Sequence, residues 1–387
     1  MSDKKRILII HNYYQISGGE DTLVVNEKKL LEKYGHEVIL YTRNNLELKT
    51  MSRFRKLLLP FTTIYNLRTV RDVRKLIKVN HIDIVHVHNT LNLISPSVYY
   101  VAKQCNVPVV QTIHNFRLLC PGATFYRDGH ICEDCIKYGL ICALKHNCYR
   151  KSKIQTLACV INIRIHRITG IYGKINYICL TQFNKNKLLN LKHISAERVF
   201  VKPNFVDSVT EIVPRKQRED QFIFAGRLDK LKGIDILLEA WKRMGESAPK
   251  LIVCGTGPME KWCRDFIEIN HINVELRGVV SNTDVRKMIA KSKALVLPTQ
   301  WYEGFPMSIV EAYSVGTPVI CSDLGNAGNI VVNGVTGWKF MEIEELIDCI
   351  RKSGQEDLYI KTYQEYVSKY TEKINYQLLS EIYGSLK

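Results

Sequence analysis

Two carboxylates lie eight positions apart in the segment Glu303-Gly-Phe-Pro-Met-Ser-Ile-Val-Glu311. The apolar run Ala294 to Leu297 precedes them and stops at Pro298, as a buried strand would. Ile309, Val310, Ala312, Tyr313 and Val315 then recur at helical spacing until Gly316 and Pro318 end the helix, and Val319-Ile320-Cys321 reads as the next strand. Glu303 therefore falls in a loop at the carboxyl end of a strand. Helix N-termini there offer unpaired N–H groups to anions. Glu311 falls inside the helix on its apolar side, where a carboxylate is costly without a partner.

A second constellation carries cations. Phe222 to Gly226 reads as a strand, and Arg227-Leu-Asp-Lys-Leu-Lys232-Gly233 leads from it into a helix. An Arg and a Lys at a helix N-terminus form a diphosphate clamp, the first through bidentate hydrogen bonds and the second as a point charge. Gly255-Thr-Gly-Pro258 ends the next strand, but it lacks the third glycine of a nicotinamide-binding turn. Near the start, Ser17-Gly18-Gly19-Glu20 follows the strand Lys5 to His11 and opens a helix around Thr22 to Tyr34. Such a loop lets a phosphate or sugar approach the backbone closely. His114 ends the strand that begins at Val107.

Glu303-Gly-Phe-Pro, Glu311 and Gly316-Thr-Pro in register resemble the E-x7-E signature of the retaining glycosyltransferases of family 4, which have the GT-B fold. The Gly-Arg-x4-Lys-Gly spacing around Arg227 and Lys232 is similar to that family's donor-phosphate motif. The resemblance covers nearly the whole chain and is strongest from Phe222 to Gly337. It implies two Rossmann-like, doubly wound domains facing across a cleft, the second holding a nucleotide-sugar donor. In that reading Arg227 and Lys232 neutralise the diphosphate leaving group. The N–H groups of Phe305, Met307 and Ser308, in the loop with Gly304 and Pro306, add their dipole. Glu311 takes the ribose hydroxyls and Glu303 holds hydroxyls of the transferred sugar. His114 faces that sugar, and Gly18 and Gly19 face the donor phosphates and the acceptor. Gly226 and Gly255 belong to the donor-side turns, and backbone around Gly278 to Val280 holds the nucleobase. Asn333 to Gly337 fits the family's late hairpin. Lys202-Pro-Asn-Phe-Val-Asp207 resembles its interdomain linker, with Phe205 where Gly is usual. No Asp-x-Asp metal motif is present, so catalysis without a metal is expected.

The elements needed to position these groups are present. Strand patterns alternate with helical ones over 387 residues, a length that suits two α/β domains. The expected division is residues 1–204, residues 205–365, and a tail of 366–387 crossing back to the first domain. No apolar run spans a bilayer and no signal peptide is read, so a cytoplasmic location is expected, with the 12 Cys as thiols or metal ligands.

Charge is divided unevenly. Residues 1–205 hold 32 Lys and Arg against 13 Asp and Glu (net +19), and residues 206–387 hold 23 against 25 (net −2). Only the first half is therefore expected to meet an anionic partner. Residues 53–78 interleave eight Lys and Arg with Leu57-Leu-Leu-Pro-Phe61 and Ile64-Tyr65, a surface suited to anionic headgroups or a solvated helix covering the core. A second basic amphipathic helix is expected from Ile154 to Ile171. These features lead to a membrane-borne, polyprenyl-diphosphate-linked acceptor, a UDP- or GDP-sugar donor, and a peripheral position on the inner face of the membrane. A soluble acceptor is the alternative.

Residues 116 to 152 interrupt the α/β pattern. Cys120, Cys132, Cys135 and Cys148 occur as C-x11-C-x2-C-x12-C in a loop-rich stretch, spacing suited to a structural zinc, with Cys142, His130 and His146 as substitute ligands. The cysteines and basic charge also fit a zinc-containing nucleic-acid-binding protein, but that reading leaves Glu303, Glu311, Arg227 and Lys232 without a role. A GT-B nucleotide-sugar epimerase would want acid–base carboxylates in the first domain, where Asp and Glu are few.

Overall fold

The computed structural model describes residues 4–15, 18–208, 212–353 and 358–386. Ser17 of the glycine loop and Lys387 of the tail lie outside them. Two compact units divide the chain: residues 1–127, 132–202 and 376–387 form one, and residues 128–131 and 203–375 form the other.

The first unit is built on a six-stranded parallel sheet of β1 (Arg6–Tyr13), β2 (Glu37–Asn44), β3 (Ile84–Asn89), β4 (Val109–Ile113), β7 (Asn176–Cys179) and β8 (Val199–Val201). Their spatial order is β2-β1-β3-β4-β7-β8. Two two-residue strands, β5 (Tyr126–Arg127) and β6 (His130–Ile131), lie in the cysteine-rich stretch. Ile7 to Ile10 of β1 are wholly inaccessible, as expected for a parallel strand covered on both faces. Helix α1 (Gly19–Lys33) turns Leu23, Val24, Leu30 and Leu31 inward and stops at Tyr34 and Gly35, whose φ is +87°. Residues 53–78 form two helices. Asn66 separates them by accepting from the Arg68 and Thr69 N–H groups at 3.1 and 3.2 Å, as a cap does. The first, α2 (Arg53–Ile64), buries nothing fully, whereas α3 (Leu67–Val79) buries Val70, Val73 and Ile77. Helix α4 (Lys153–Ile168) buries Cys159, Val160 and Ile163.

The second unit repeats the plan with β9 (Gln221–Ala225), β10 (Lys250–Cys254), β11 (Val274–Gly278), β12 (Ala294–Leu297), β13 (Val319–Ser322) and β14 (Gly337–Phe340). All its pairings are parallel, in the order β11-β10-β9-β12-β13-β14. Trp241, on helix α5 (Ile234–Met244), is fully buried with its ring 6.0 Å from that of Phe222. Burying side chains of this size stabilises by about 1.5–3 kcal/mol each. Helix α6 (Met307–Ser314) follows β12.

Three expectations need correction. Asn333 to Gly337 is a turn closed by the Gly334 N–H on the Gly337 carbonyl at 2.8 Å, and β14 then pairs in parallel with β13. No hairpin forms there, because a strand in a wholly parallel sheet has no antiparallel neighbour. Helix α1 begins at Gly19 rather than near Thr22. The final helix α7 (Glu372–Ser385) contributes to the first unit only from Tyr376 onward, later than residue 366. Tyr366 instead donates to the Val206 carbonyl at 2.9 Å and stays with the second unit.

Candidate functional site

In an open parallel sheet, ligands sit beyond the carboxyl ends of strands where the strand order reverses. In the second unit that point lies between β9 and β12. The loop after β9 carries Arg227 and Lys232, and the loop after β12 carries Glu303. Main-chain bonds join the two loops: the Gln300 N–H donates to the Leu231 carbonyl at 2.9 Å, and Thr299 Oγ1 donates to the same oxygen at 3.2 Å. Gly233 makes this approach sterically feasible. Its φ is +71°, and a Cβ there would lie 1.8 Å from the Pro298 carbonyl oxygen.

The consequence is an ion pair. Lys232 Nζ donates to Glu303 Oε2 at 2.6 Å. The Glu303 side chain is only 6% exposed, and its Oε1 is buried without a hydrogen-bond partner. A buried carboxylate oxygen without a donor costs about 1–3 kcal/mol, and more where it bears charge. It is a ready acceptor for a ligand hydroxyl. Asn326 braces the loop by donating from Nδ2 to the Glu303 carbonyl and to the Gly304 carbonyl, the latter at 2.9 Å. Sequence reasoning missed Asn326, because nothing in its spacing ties it to a loop more than twenty residues earlier.

Arg227 is largely exposed and pairs with Asp229 at 3.2 Å. Asp229 Oδ1 also accepts from the Lys232 N–H at 3.0 Å, so one carboxylate orients both cationic residues. Gly226, Gly255 and Gly278 end β9, β10 and β11. Gly226 N–H donates to the Cys254 carbonyl at 3.0 Å and Gly255 N–H to the Gly278 carbonyl at 2.7 Å. A Cβ on Gly255 would meet the Gly226 carbonyl at 1.9 Å, so backbone packing already requires that glycine. Val279, between Gly278 and Val280, is exposed. Pro306 caps α6 without a side-chain bond, and the N–H groups of Phe305, Met307 and Ser308 have no protein acceptor among the described residues. Glu311 is half-buried; burial raises its carboxyl above the ordinary range and the Arg286 charge opposes that rise. Arg286 is a further residue that the spacing does not reveal. Its Nε is buried without a partner while one NH2 holds the Asp207 carbonyl at 2.8 Å.

In the first unit the order reverses between β1 and β3. Around that point His11, His86, His88 and His114 gather at the ends of β1, β3 and β4 with Asp21 and Glu27 of α1. His11 Nε2 bonds Asp21 Oδ1 at 2.8 Å, and His88 Nδ1 bonds His114 Nε2 at 3.0 Å. His86 is held between Tyr383 OH at 2.7 Å and Thr112 Oγ1 at 2.8 Å. Glu27 accepts from Lys202 Nζ at 3.2 Å, both side chains being almost wholly buried. Burial, followed by neighbouring cationic charge, keeps His114 neutral well below the ordinary histidine range; the same causes lower His11 to about 4 and His86 to about 3, each opposed by a nearby carboxylate. For Glu27 burial favours the neutral acid, but His86, Lys202 and His88 outweigh it and hold the carboxyl well below its usual value. Glu20 goes the other way, pushed up to about 8 chiefly by burial.

Three carboxylates of this half, Glu20, Asp21 and Glu27, thus stand together on α1, with Asp21 paired to His11 and Glu27 facing Lys202, His86 and His88. Glu27 was readable in principle: it falls at helical spacing among Leu23, Val24, Leu30 and Leu31. Glu27, His86 and His88 are the only group of three ligand-type side chains whose atoms lie within 4.8 Å of one another among the described residues. Gly18 and Gly19 sit at the start of α1 with open space where a Cβ would be, and Gly18 N–H donates to Asp21 Oδ2 at 3.2 Å.

The four cysteines are not drawn into a closed shell. A tetrahedral zinc with Zn–S near about 2.3 Å needs sulfurs roughly 3.8 Å apart. No three of Cys120, Cys132, Cys135 and Cys148 lie within 4.8 Å of one another. They do neighbour one another: burial, then the nearby Cys120, Cys148 and Cys142, push the Cys135 thiol up to about 12.

Residues 207–371 match the family model for glycosyl transferases group 1, and residues 17–131 match that for glycosyltransferase family 4. An uncharacterised glycosyltransferase of Methanocaldococcus jannaschii is 24% identical over 96% of this chain and 97% of its own. An amylovoran biosynthesis glycosyltransferase of Erwinia amylovora is 25% identical over 43% of this chain and 51% of its own. Among solved structures, the lipopolysaccharide outer core galactosyltransferase WaaB, in its apo form, superposes with a TM-score of 0.67 at 17% identity, covering 98% of this chain and 99% of that one. Anabaena HepE in complex with UDP and glucose gives 0.65 at 16% identity, over 99% and 100%. The fold is GT-B. The chain carries both of the matched glycosyltransferase domains and is a glycosyltransferase.

Proposed function

We propose that this chain transfers a sugar, with retention and without a catalytic metal, from a UDP- or GDP-sugar to a lipid-linked glycan during surface polysaccharide synthesis. The observation that carries the reading is the Lys232–Glu303 pair at the β9/β12 switch point, with one Glu303 oxygen left without a donor. Glu303 Oε1 accepts a hydroxyl of the transferred sugar. Glu311 accepts the ribose hydroxyls. Arg227, Lys232 and the free N–H groups at the start of α6 take up the negative charge that develops on the diphosphate as the sugar C1–O bond breaks. The acceptor oxygen bonds to C1 on the same face, and its proton passes to the departing phosphate oxygen. His114, held neutral, offers the sugar a hydrogen-bonding nitrogen.

Support for a polysaccharide role comes from the amylovoran relative and from a 22%-identical protein of a Klebsiella pneumoniae cps region. HepE, solved with UDP and glucose, supports a nucleotide-sugar donor. The net +19 of the first half supports an anionic acceptor and a peripheral position on the cytoplasmic face of a membrane. No helix of the described residues is long and apolar enough to cross a bilayer. A structural zinc on Cys120, Cys132, Cys135 and Cys148 is also part of this proposal, supported by their spacing and proximity, and metal analysis of purified protein tests it.

The test of the main reading is binding and slow hydrolysis of a panel of UDP-, GDP- and ADP-sugars with EDTA present, for wild type and Glu303→Ala. One donor bound and hydrolysed by wild type, with hydrolysis lost in the variant, is expected. No binding of any donor by folded protein overturns the reading.

A further inference from the structure

The first unit contains an apolar groove that the transfer chemistry above does not use. It lies between α2 and α4 and has a volume of about 480 Å³. Leu59 and Pro60 line it from α2, Ile154 and Ala158 from α4, Leu48 from the short helix Glu47–Thr50 and Leu91 from a turn. Binding pockets for small ligands run to roughly 300–1,000 Å³ and are mostly apolar with a few polar groups, so its size and lining suit a ligand.

Cations stand at its border. Lys56 of α2 and Arg150, just before α4, belong to the same lining, and the guanidinium groups of Arg150 and Arg117 lie 5.5 and 5.1 Å from the centre of the Tyr149 ring. An apolar trough edged by a Lys and an Arg complements one kind of molecule: a hydrocarbon chain that ends in phosphate.

The groove shares Leu91 and Cys159 with a small cavity of about 60 Å³ lined by His88, His114 and Arg117. Outside the groove the same two helices expose Phe54, Leu57 and Phe61 on α2 and Ile168 on α4, each 69–76% accessible.

We propose that this groove holds the first isoprene units of the acceptor's polyprenyl chain, with Lys56 and Arg150 on its diphosphate. The proposal deepens the lipid-linked-acceptor reading and rests on it. It makes the α2–α4 groove a site for one acceptor molecule, distinct from general adhesion of the basic face to a membrane.

Farnesyl diphosphate serves as a water-soluble probe, titrated into the full chain by calorimetry alongside inorganic diphosphate and farnesol. Ala158→Trp fills the groove and Lys56→Glu/Arg150→Glu reverses its border; neither touches the donor site. Farnesyl diphosphate is expected to bind at least tenfold more tightly than inorganic diphosphate, and each variant to weaken it at least tenfold with nucleotide-sugar binding unchanged. Equal binding of diphosphate alone, or farnesyl diphosphate binding indifferent to Ala158→Trp, overturns the proposal. So does tight binding of farnesol with no gain from the diphosphate, which marks a general acyl or detergent site. Failure of wild type to bind farnesyl diphosphate, with its donor hydrolysis intact, removes the groove and leaves the transferase. Absence of donor binding in folded wild type removes the transferase reading itself.

Discussion

Glu303 has two oxygens and one protein donor, and that imbalance defines its role. Lys232 satisfies Oε2, and Oε1 is buried without a hydrogen bond. Glu303→Gln keeps the shape and removes the charge that Lys232 answers. It is expected to cut donor hydrolysis at least 100-fold, about 2.7 kcal/mol of transition-state stabilisation, with a shift in melting temperature too small to explain the loss. A melting temperature that falls in proportion to activity would make Glu303 structural. Glu27 is a second buried carboxylate with several partners, Lys202 at 3.2 Å on one oxygen and His86 and His88 at 3.0 and 3.2 Å from the other. Glu27→Ala takes the carboxylate away from buried Lys202, His86 and His88 and is expected to cost about 3–5 kcal/mol in urea denaturation, whereas Glu27→Gln/Lys202→Met is expected to recover most of it. A double variant no more stable than the single one contradicts this account.

Protonation extends the argument. His11 and His86 titrate near 4 and 3 in the fold against an ordinary 6.5. The unfolded chain therefore binds more protons than the native one as pH falls below about 6.5. Stability is present in full above that pH and declines down to about 4 and 3. Glu20 runs the other way: its folded value of about 8 against 4.5 means that the native state holds the extra proton between those pH values, so its contribution weakens as pH rises. The urea midpoint is expected to fall between pH 7 and pH 5, and to fall further in Glu20→Gln, which removes the opposing term. A midpoint that rises on acidification would show that the histidines are not held neutral.

At the scale of elements, α2 and α3 show what periodicity conveys and what it omits. Residues 53–78 read as one basic amphipathic stretch fitting either a membrane surface or a core cover. The structure divides the two roles at Asn66: α3 covers the core and α2 leaves Phe54, Leu57 and Phe61 outside. The sequence could not show this, because both helices alternate cations with apolar residues and only packing on the sheet tells them apart. Phe54→Asp/Leu57→Asp/Phe61→Asp is expected to abolish most association with vesicles containing anionic lipid, without changing the melting temperature. Retained association would return α2 to an ordinary solvated helix. The strand-end glycines carry the same lesson. The Gly-Arg-x4-Lys-Gly spacing was legible in the sequence, but the reason for Gly233 and Gly255 is a neighbouring carbonyl less than 2 Å from where a Cβ would sit. Those neighbours, Pro298 and Gly226, lie on other strands' loops, and no local pattern names them. The cysteine spacing names four thiols in one stretch, but it does not convey how far apart their sulfurs stand: no three of them lie within 4.8 Å of one another.

On the scale of the molecule, alternating strand and helix patterns made the two parallel sheets legible. Strand order was not legible, because it depends on which strands pair across long connections. That order places the chemistry. In each unit the reversal point carries the site residues, Lys232 and Glu303 between β9 and β12, and the histidine cluster between β1 and β3. The charge is divided between the same halves, +19 before residue 206 and −2 after it. Under the proposed function these facts give membrane association and donor binding different physical characters. Exposed Lys and Arg facing a membrane interact through water, where the Debye length shrinks from about 10 Å at 0.1 M salt to about 3 Å at 1 M. Donor binding relies on the Lys232–Glu303 pair, in which the Glu303 side chain is almost wholly buried, and on N–H groups, which salt screens far less. Vesicle association is therefore expected to fall steeply as salt rises from about 0.05 to 0.5 M, with nucleotide-sugar affinity nearly constant over the same range. Parallel loss of both would mean that the donor too is held mainly by long-range charge, and the buried pair would lose its place in the mechanism.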